Sequence, residues 1–246
     1  MKKLLLASLL SAVSFASSAT IVEVSTSQGV IKINLFDQKT PKTVENFMSY
    51  LDDAAYNQTV IHRSVKDFII QGGGFTYSDD FDRITTKPAV INEPIYSNVK
   101  GTIAMAKLGG NPNSATSQWF FNLKDNSANL DVQNSGFTVF GQITDDSQAT
   151  LDKIAALVHC DEIPVVGITT EQCLKSDVTI SNANLVTIQS VLVIDDDPNS
   201  AQNLTPAKNT LISQVVPPSQ KEDSSGSMAW LLGALLLVLP RLKRAK

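Results

Sequence analysis

The chain has 246 residues, 43% of them hydrophobic, and 20 Lys and Arg stand against 24 Asp and Glu for a formal net charge of -4. That length and hydrophobic share suit a single domain around one sizeable core. The slightly acidic balance argues against the basic face that a nucleic-acid partner requires.

In chain order, Met1 to Lys3 form a short positive start, Leu4 to Phe15 an apolar stretch, and Ser17-Ser18-Ala19 a small-residue cleavage site. This is the pattern of a secretory signal peptide, so residues 1–19 are expected to be removed and the chain to be exported. The folded unit is expected over residues 20–195. It opens with TIVEVSTSQGVIKINLF, which alternates apolar and polar residues on both sides of Ser27-Gln28-Gly29 as a β-hairpin does. TPKTVENFMSYLDDAAY follows, with Thr40 as a candidate cap, Pro41 at the first helical position, and Val44, Phe47, Met48 and Leu51 on one helical stripe. Short strand-like runs come next: VIHRSV, FIIQGG, GTIAMA, QWFFNL and FTVFGQI. The segment DNSANLDVQNSG between the last two reads as a solvated loop. A second helix is predicted in SQATLDKIAALV, burying Leu151, Ile154, Ala155 and Val158, and LVTIQSVLVI reads as a last strand. Many short strands with glycine turns and two helices suggest a closed barrel or a sandwich.

Beyond the domain, residues 196–227 are rich in Asp, Asn, Ser and Pro and read as a flexible linker. Residues 228–246 hold an apolar stretch, Met228 to Leu239, followed by Arg241, Lys243, Arg244 and Lys246. This tail resembles the C-terminal sorting signals of some proteobacterial envelope proteins, with a permanent membrane anchor as the alternative. Either way the expected location is the periplasm or cell envelope. Cys160 and Cys173, the only cysteines, follow a signal peptide and are expected to form a disulfide.

The chemistry is narrowed by what is missing. Only two histidines occur, His62 and His159, and neither accompanies a G-x-S-x-G elbow. No second Cys or His pair has zinc-ligand spacing, and Gly72 to Gly74 lack the Lys-Ser/Thr of a phosphate cradle. No metal or cofactor is therefore expected. His62 is read as a strand residue whose role is packing or hydrogen bonding, and the three glycines as a turn where backbones approach closely.

The stretch IHRSVKDFIIQGGGF, residues 61–75, sets one arginine and one glutamine among apolar residues. Rotation about an X-Pro bond needs little more. Resonance holds that bond planar behind a barrier of about 18–20 kcal/mol and ties up the nitrogen lone pair. Twisting frees the lone pair, so a guanidinium beside it gains a hydrogen bond that exists only in the transition state. Arg63 would be that donor, Phe68 and Ile69 apolar walls for the proline ring, and Gln71 an orienting group for the substrate carbonyl or for the arginine. Taken alone, an arginine in an apolar strand is more often a paired structural cation, and such aromatics are more often core.

IHRSVKDFIIQGGGF, GTIAMAK, NSATSQWFFNL and FTVFGQI, in that order and spacing, resemble the cyclophilin family of peptidyl-prolyl isomerases, and its bacterial envelope members most. The resemblance covers about residues 22–194 and implies a mainly β fold, a closed eight-stranded antiparallel barrel capped by two α-helices. It implies catalytic roles for Arg63 and Gln71. The apolar proline pocket would be Phe68, Ile69, Phe120 and Leu130, with Phe137 on one wall. Met105, Ala106 and Lys107 would be the edge that pairs with substrate backbone, and Gln118 a further polar site residue. Four positions depart from the family: Lys107 replaces an asparagine, Asn129 an aromatic, Phe137 a histidine found in many eukaryotic members, and Ile69 a common methionine. The implied partners are proline-containing polypeptides folding in the envelope, with the enzyme a monomer. Two other readings compete: a non-catalytic peptide-binding scaffold on the same barrel, and a hydrolase using His62 or His159.

Overall fold

The computed structural model describes residues 20–175, 178–196 and 204–214. The expected signal peptide and the apolar tail from Met228 lie outside them. The elements in chain order are β1 (Ile21–Thr26), β2 (Gly29–Leu35), α1 (Pro41–Asp52), β3 (Thr59–Val60), β4 (Arg63–Val65), β5 (Ile69–Gly72), β6 (Phe75–Tyr77), β7 (Phe81–Arg83), β8 (Thr102–Met105) and β9 (Trp119–Asn122). There follow α2 (Ser127–Leu130), β10 (Val139–Ile143), α3 (Gln148–Ala155), β11 (Val158–Cys160), β12 (Ile163–Val165), α4 (Thr170–Cys173) and β13 (Thr187–Asp195).

The strands make one curled antiparallel sheet in the order β4-β5-β9-β8-β10-β2-β1-β13-β3-β6-β7, with β11 and β12 as a separate hairpin. Among the described residues the sheet thus has eleven strands where eight were expected. Two causes account for the surplus: the β6–β7 hairpin extends one end, and the run Thr59 to Val65 is interrupted at Ile61-His62 and counts as two strands. The sheet has a mixed outlook because both of its faces carry apolar side chains. One face gathers Val22, Ile31, Ile33, Ile70, Ile103, Trp119, Phe121 and Phe140 into the main core, over which α1, through Phe47, and α3 pack. The opposite face carries a second cluster, which includes Ile69, Ala104, Phe120 and Val139. Strand alternation places Trp119 and Phe120 on these opposite faces, as their neighbouring positions require.

The hairpin β1–β2 pairs Thr26 with Gly29 across Ser27-Gln28, as read from its alternation. Helix α1 starts at Pro41, but Thr40 does not cap it: its hydroxyl donates to the Phe36 carbonyl instead. The orphan N–H groups of the first turn go to a distant carboxylate. Glu93 accepts from the Thr43 N–H at 2.9 Å and the Thr43 hydroxyl at 2.8 Å. Val44 and Phe47 are buried as expected, Met48 and Leu51 only partly. Helix α3 buries Leu151 and Ile154 and ends at Ala155, so Val158 opens β11 rather than completing the helical stripe.

Two expectations about irregular segments need correction. The segment 125–136 holds α2 and a short 3-10 turn, and it buries Asn126, Leu130 and Asp131. Buried side-chain amides organise it, not solvent. Part of the expected linker also has a place on the domain: the Ser97 N–H donates to the Ala207 carbonyl, the Asn209 N–H to the Ile95 carbonyl, and Asn209 Nδ2 to the Asp131 carbonyl at 2.9 Å. Hydrogen-bond partners exposed along residues 95–97 attract this otherwise polar segment. Among the described residues, no helix is long and apolar enough to cross a membrane.

Candidate functional site

The pairing of four strands sets four residues side by side. Arg63 on β4 lies opposite Gln71 on β5, Gln71 opposite Phe120 on β9, and Phe120 opposite Ala104 on β8. Paired residues share a face. An arginine, a glutamine and an apolar surface are thereby brought into one row, although they come from three separate motifs.

The apolar part of that row continues into the loops. Phe120, Ile69, Leu130 and Phe137 are all buried, with Phe68 partly buried against them, and the Phe120 and Phe137 rings meet edge to face at 5.7 Å. A chain of amides holds this wall from behind. Asn126 Nδ2 donates to the Phe68 carbonyl at 2.9 Å and to Asn122 Oδ1 at 2.8 Å. Asn122 Nδ2 donates to Asn98 Oδ1, and Asn98 Nδ2 donates to both Asp131 Oδ1 and the Phe137 carbonyl. Buried polar groups paired in this way specify one arrangement of the loops that carry Phe68, Leu130 and Phe137.

The polar part is built differently. Arg63 Nε donates to Glu162 Oε2, and Nη2 to Glu162 Oε1 at 3.4 Å. The reading of an arginine in an apolar strand as a paired cation is therefore true of this one. Its third nitrogen differs: Nη1 is buried with no acceptor among the described residues. Gln71 does not orient the arginine. Its Nε2 donates to Gln118 Oε1 at 2.8 Å, which links two of the expected polar residues to each other. Gln118 is packed by Gly74, where an added Cβ would come within 2.7 Å of its amide, and Gly73 at φ +74° passes equally close to Trp119. The three glycines are indeed a close approach, and the side chains they admit are Gln118 and Trp119.

The segment 105–107 divides between core and site. The Met105 side chain belongs to the main core, on the far face from Phe120. Its N–H donates to the Thr138 carbonyl and the Ala106 N–H to the Gln118 carbonyl, because β8 lies between β9 and β10 and is no free edge. Those two N–H groups are not open to a substrate strand. Lys107 is buried: its Nζ donates to the carbonyls of Asn134 at 2.9 Å and Gly136 at 2.6 Å and stands 4.8 Å from the Phe137 ring centroid. Burial brings its pKa down to about 8. The lysine and Phe137, two departures from the family pattern, thus touch each other and tie the loop after α2 to β8. Asn129, a third departure, is half-buried beside Leu130.

His62 lies between β3 and β4, buried, with its ring 4.8 Å from that of Phe75, and burial lowers its pKa to about 4. It packs, as expected. His159 Nε2 is 3.0 Å from Ser64 Oγ. Among the described residues no carboxylate bonds to the His159 ring or the Ser64 hydroxyl, so the pair stands there without the orienting acid of a hydrolytic triad. Cys160 and Cys173 form the expected disulfide, with Cα atoms 5.0 Å apart.

Glu162 is the site neighbour that sequence reasoning missed. It stands in CDEIP beside Cys160, and the disulfide drew attention to the loop but not to the acid. Asn98, Asn122, Asn126 and Asp131 were missed for a related reason, since polar residues in short irregular segments look solvated until their partners are known.

Residues 21–185 match the family model described as cyclophilin type peptidyl-prolyl cis-trans isomerase/CLD. A peptidyl-prolyl cis-trans isomerase of Acinetobacter baylyi is 40% identical over 143 residues, covering 57% of this chain and 74% of that protein. Peptidyl-prolyl cis-trans isomerase B of Escherichia coli is 38% identical over 140 residues, covering 54% of this chain and 83% of that protein. The fold is also that of a Cryptosporidium parvum cyclophilin type peptidyl-prolyl cis-trans isomerase solved in the presence of the dipeptide Ala-Pro. That structure has a TM-score of 0.52 and 22% identity, covering 72% of this chain and 99% of the solved one. The chain belongs to the cyclophilin-type peptidyl-prolyl cis-trans isomerases.

Proposed function

We propose that the chain accelerates X-Pro rotation in exported polypeptides through Arg63, which stabilises the twisted imide with no covalent intermediate. The observation that carries this is the row on the sheet: Arg63 stands at the end of an apolar wall, with one guanidinium nitrogen buried and without an acceptor among the described residues. An unmet buried donor costs stability in the resting protein. A prolyl nitrogen that turns pyramidal would satisfy it, and the planar ground state would not. The apolar wall of Ile69, Phe120, Leu130 and Phe137 receives the proline ring, and desolvation there strengthens the arginine's hydrogen bond. The Gln71–Gln118 pair faces the substrate carbonyl. Proline-containing peptides are the substrates, and the protein acts as a monomer.

The same reading has eight of the strands close into a barrel. β3 and β4 stand at separated places in the sheet order yet follow each other in the chain, so Ile61-His62 would join the two ends. The signal-peptide pattern of residues 1–19 and the apolar, basic tail support an envelope location.

The test is cis/trans exchange of an X-Pro peptide followed by NMR, with the full-length protein beside Arg63→Ala. A charge-assisted hydrogen bond of about 1.5–3 kcal/mol predicts a loss of roughly one to two factors of ten in rate. Equal exchange by the two proteins would remove Arg63 from the mechanism. Proline peptides that bind without exchange would favour the scaffold reading.

A further inference from the structure

We infer that Glu162 is a positioning residue for the isomerase reaction: its carboxylate sets the rotation of the Arg63 guanidinium so that Nη1 is left as the donor for substrate. This rests on the reading of Arg63 given above. Four observations carry it. The carboxylate takes the Nε and Nη2 edge of the guanidinium, the one contact that fixes rotation about the last bonds of a long side chain. The remaining nitrogen, Nη1, is then buried and has no acceptor among the described residues. The acid is itself held: its carbonyl accepts from the Ser64 N–H at 2.6 Å, so the turn that bears it is tied to the residue next to Arg63. That turn is braced, with Asp161 at φ 57° between β11 and β12 and Cys160 immediately before it in a disulfide to Cys173.

Stability does not explain the pair. The Glu162 side chain is 54% exposed and that of Arg63 21%, and an ion pair so open to water contributes little to folding. What it supplies is order. A free arginine loses rotamer freedom when it must meet the transition state, whereas one already gripped along one edge has lost it beforehand.

The experiment measures kcat and KM for X-Pro exchange by full-length wild type, Glu162→Ala, Glu162→Gln, Arg63→Ala and the Arg63→Ala/Glu162→Ala double variant. Positioning predicts a fall of roughly 3- to 30-fold in kcat for Glu162→Ala with KM nearly unchanged. Glu162→Gln, which keeps one acceptor, should recover part of the loss. In the Arg63→Ala background the second change should do nothing further. The inference is overturned if wild type is active and Glu162→Ala equals or exceeds it, if the two losses multiply in the double variant, or if the fall in kcat tracks an equal fall in urea midpoint. Absence of exchange with wild type would instead overturn the isomerase reading itself.

Discussion

The two sides of the site are held by different physics. On one side, Phe120, Leu130 and Phe137 are wholly buried, and the segments that carry Phe68, Leu130 and Phe137 hang on buried and half-buried amide hydrogen bonds. On the other, Arg63 is gripped by a half-exposed glutamate on a hairpin outside the main sheet. The first arrangement belongs to folding, since removing any part of it leaves a cavity or an unmet polar group. The second contributes little to folding and can be altered with the fold intact. On the function proposed above, a substrate would use both: the apolar wall for its ring, and the Arg63 donor whose direction the glutamate sets.

That contrast can be broken most severely on the apolar side. Phe120→Ala removes a fully buried ring and should cost about 3–5 kcal/mol, read as a lower urea midpoint together with loss of exchange activity. Arg63→Ala, by comparison, should lose activity while keeping its midpoint. An intermediate case is reduction of Cys160–Cys173, whose sequence separation is 13. Opening a loop of that size should cost roughly 3 kcal/mol in the chain-entropy model. Because the hairpin bearing Glu162 is what the bond braces, kcat should also fall in reducing buffer, and this part of the fall should vanish in Glu162→Ala.

The last effect is absent at neutral pH and arises only in acid, at His62 next to Arg63. Its pKa is about 4 when folded against an ordinary value of 6.5, so between those values the unfolded chain binds more protons. Stability should therefore decrease as pH falls from 6.5 to 4, and the cost is fully present below 4. Urea midpoints of wild type and His62→Gln over that range check it. Carboxylates titrate in both proteins, so the difference in slope is the quantity to read, and equal slopes would remove His62 from the acid response.

The legible part of the molecule was the part written in short stretches. Arg63, Ile69 and Gln71 share one strand-and-turn segment and Phe120 follows Gln118 by two residues; the resemblance to cyclophilins named these together as site residues, and the strand pairing sets Arg63, Gln71 and Phe120 side by side. The hairpin 20–36, the start of α1 at Pro41 and the disulfide were readable for the same reason. Thr40 was misjudged because its place before Pro41 suited a cap, while Glu93, some fifty residues on, had the better acceptor. The place of residues 204–214 escaped notice because their composition is that of a linker, and their docking depends on groups at Ile95, Ser97 and Asp131.

The chain's sequence by itself thus determined the family, the strands that alternate about the core and the identity of the row Arg63, Gln71 and Phe120. Local pattern suffices there, because a strand's two faces and a motif's spacing are properties of neighbouring residues. Only the tertiary structure decided which acid holds Arg63, which amides hold Phe68 and Phe137, and that Lys107 and Phe137 lie against each other. Those contacts join residues 27 to 99 positions apart, and no local pattern encodes which distant polar group will arrive within hydrogen-bonding reach once the sheet has curled.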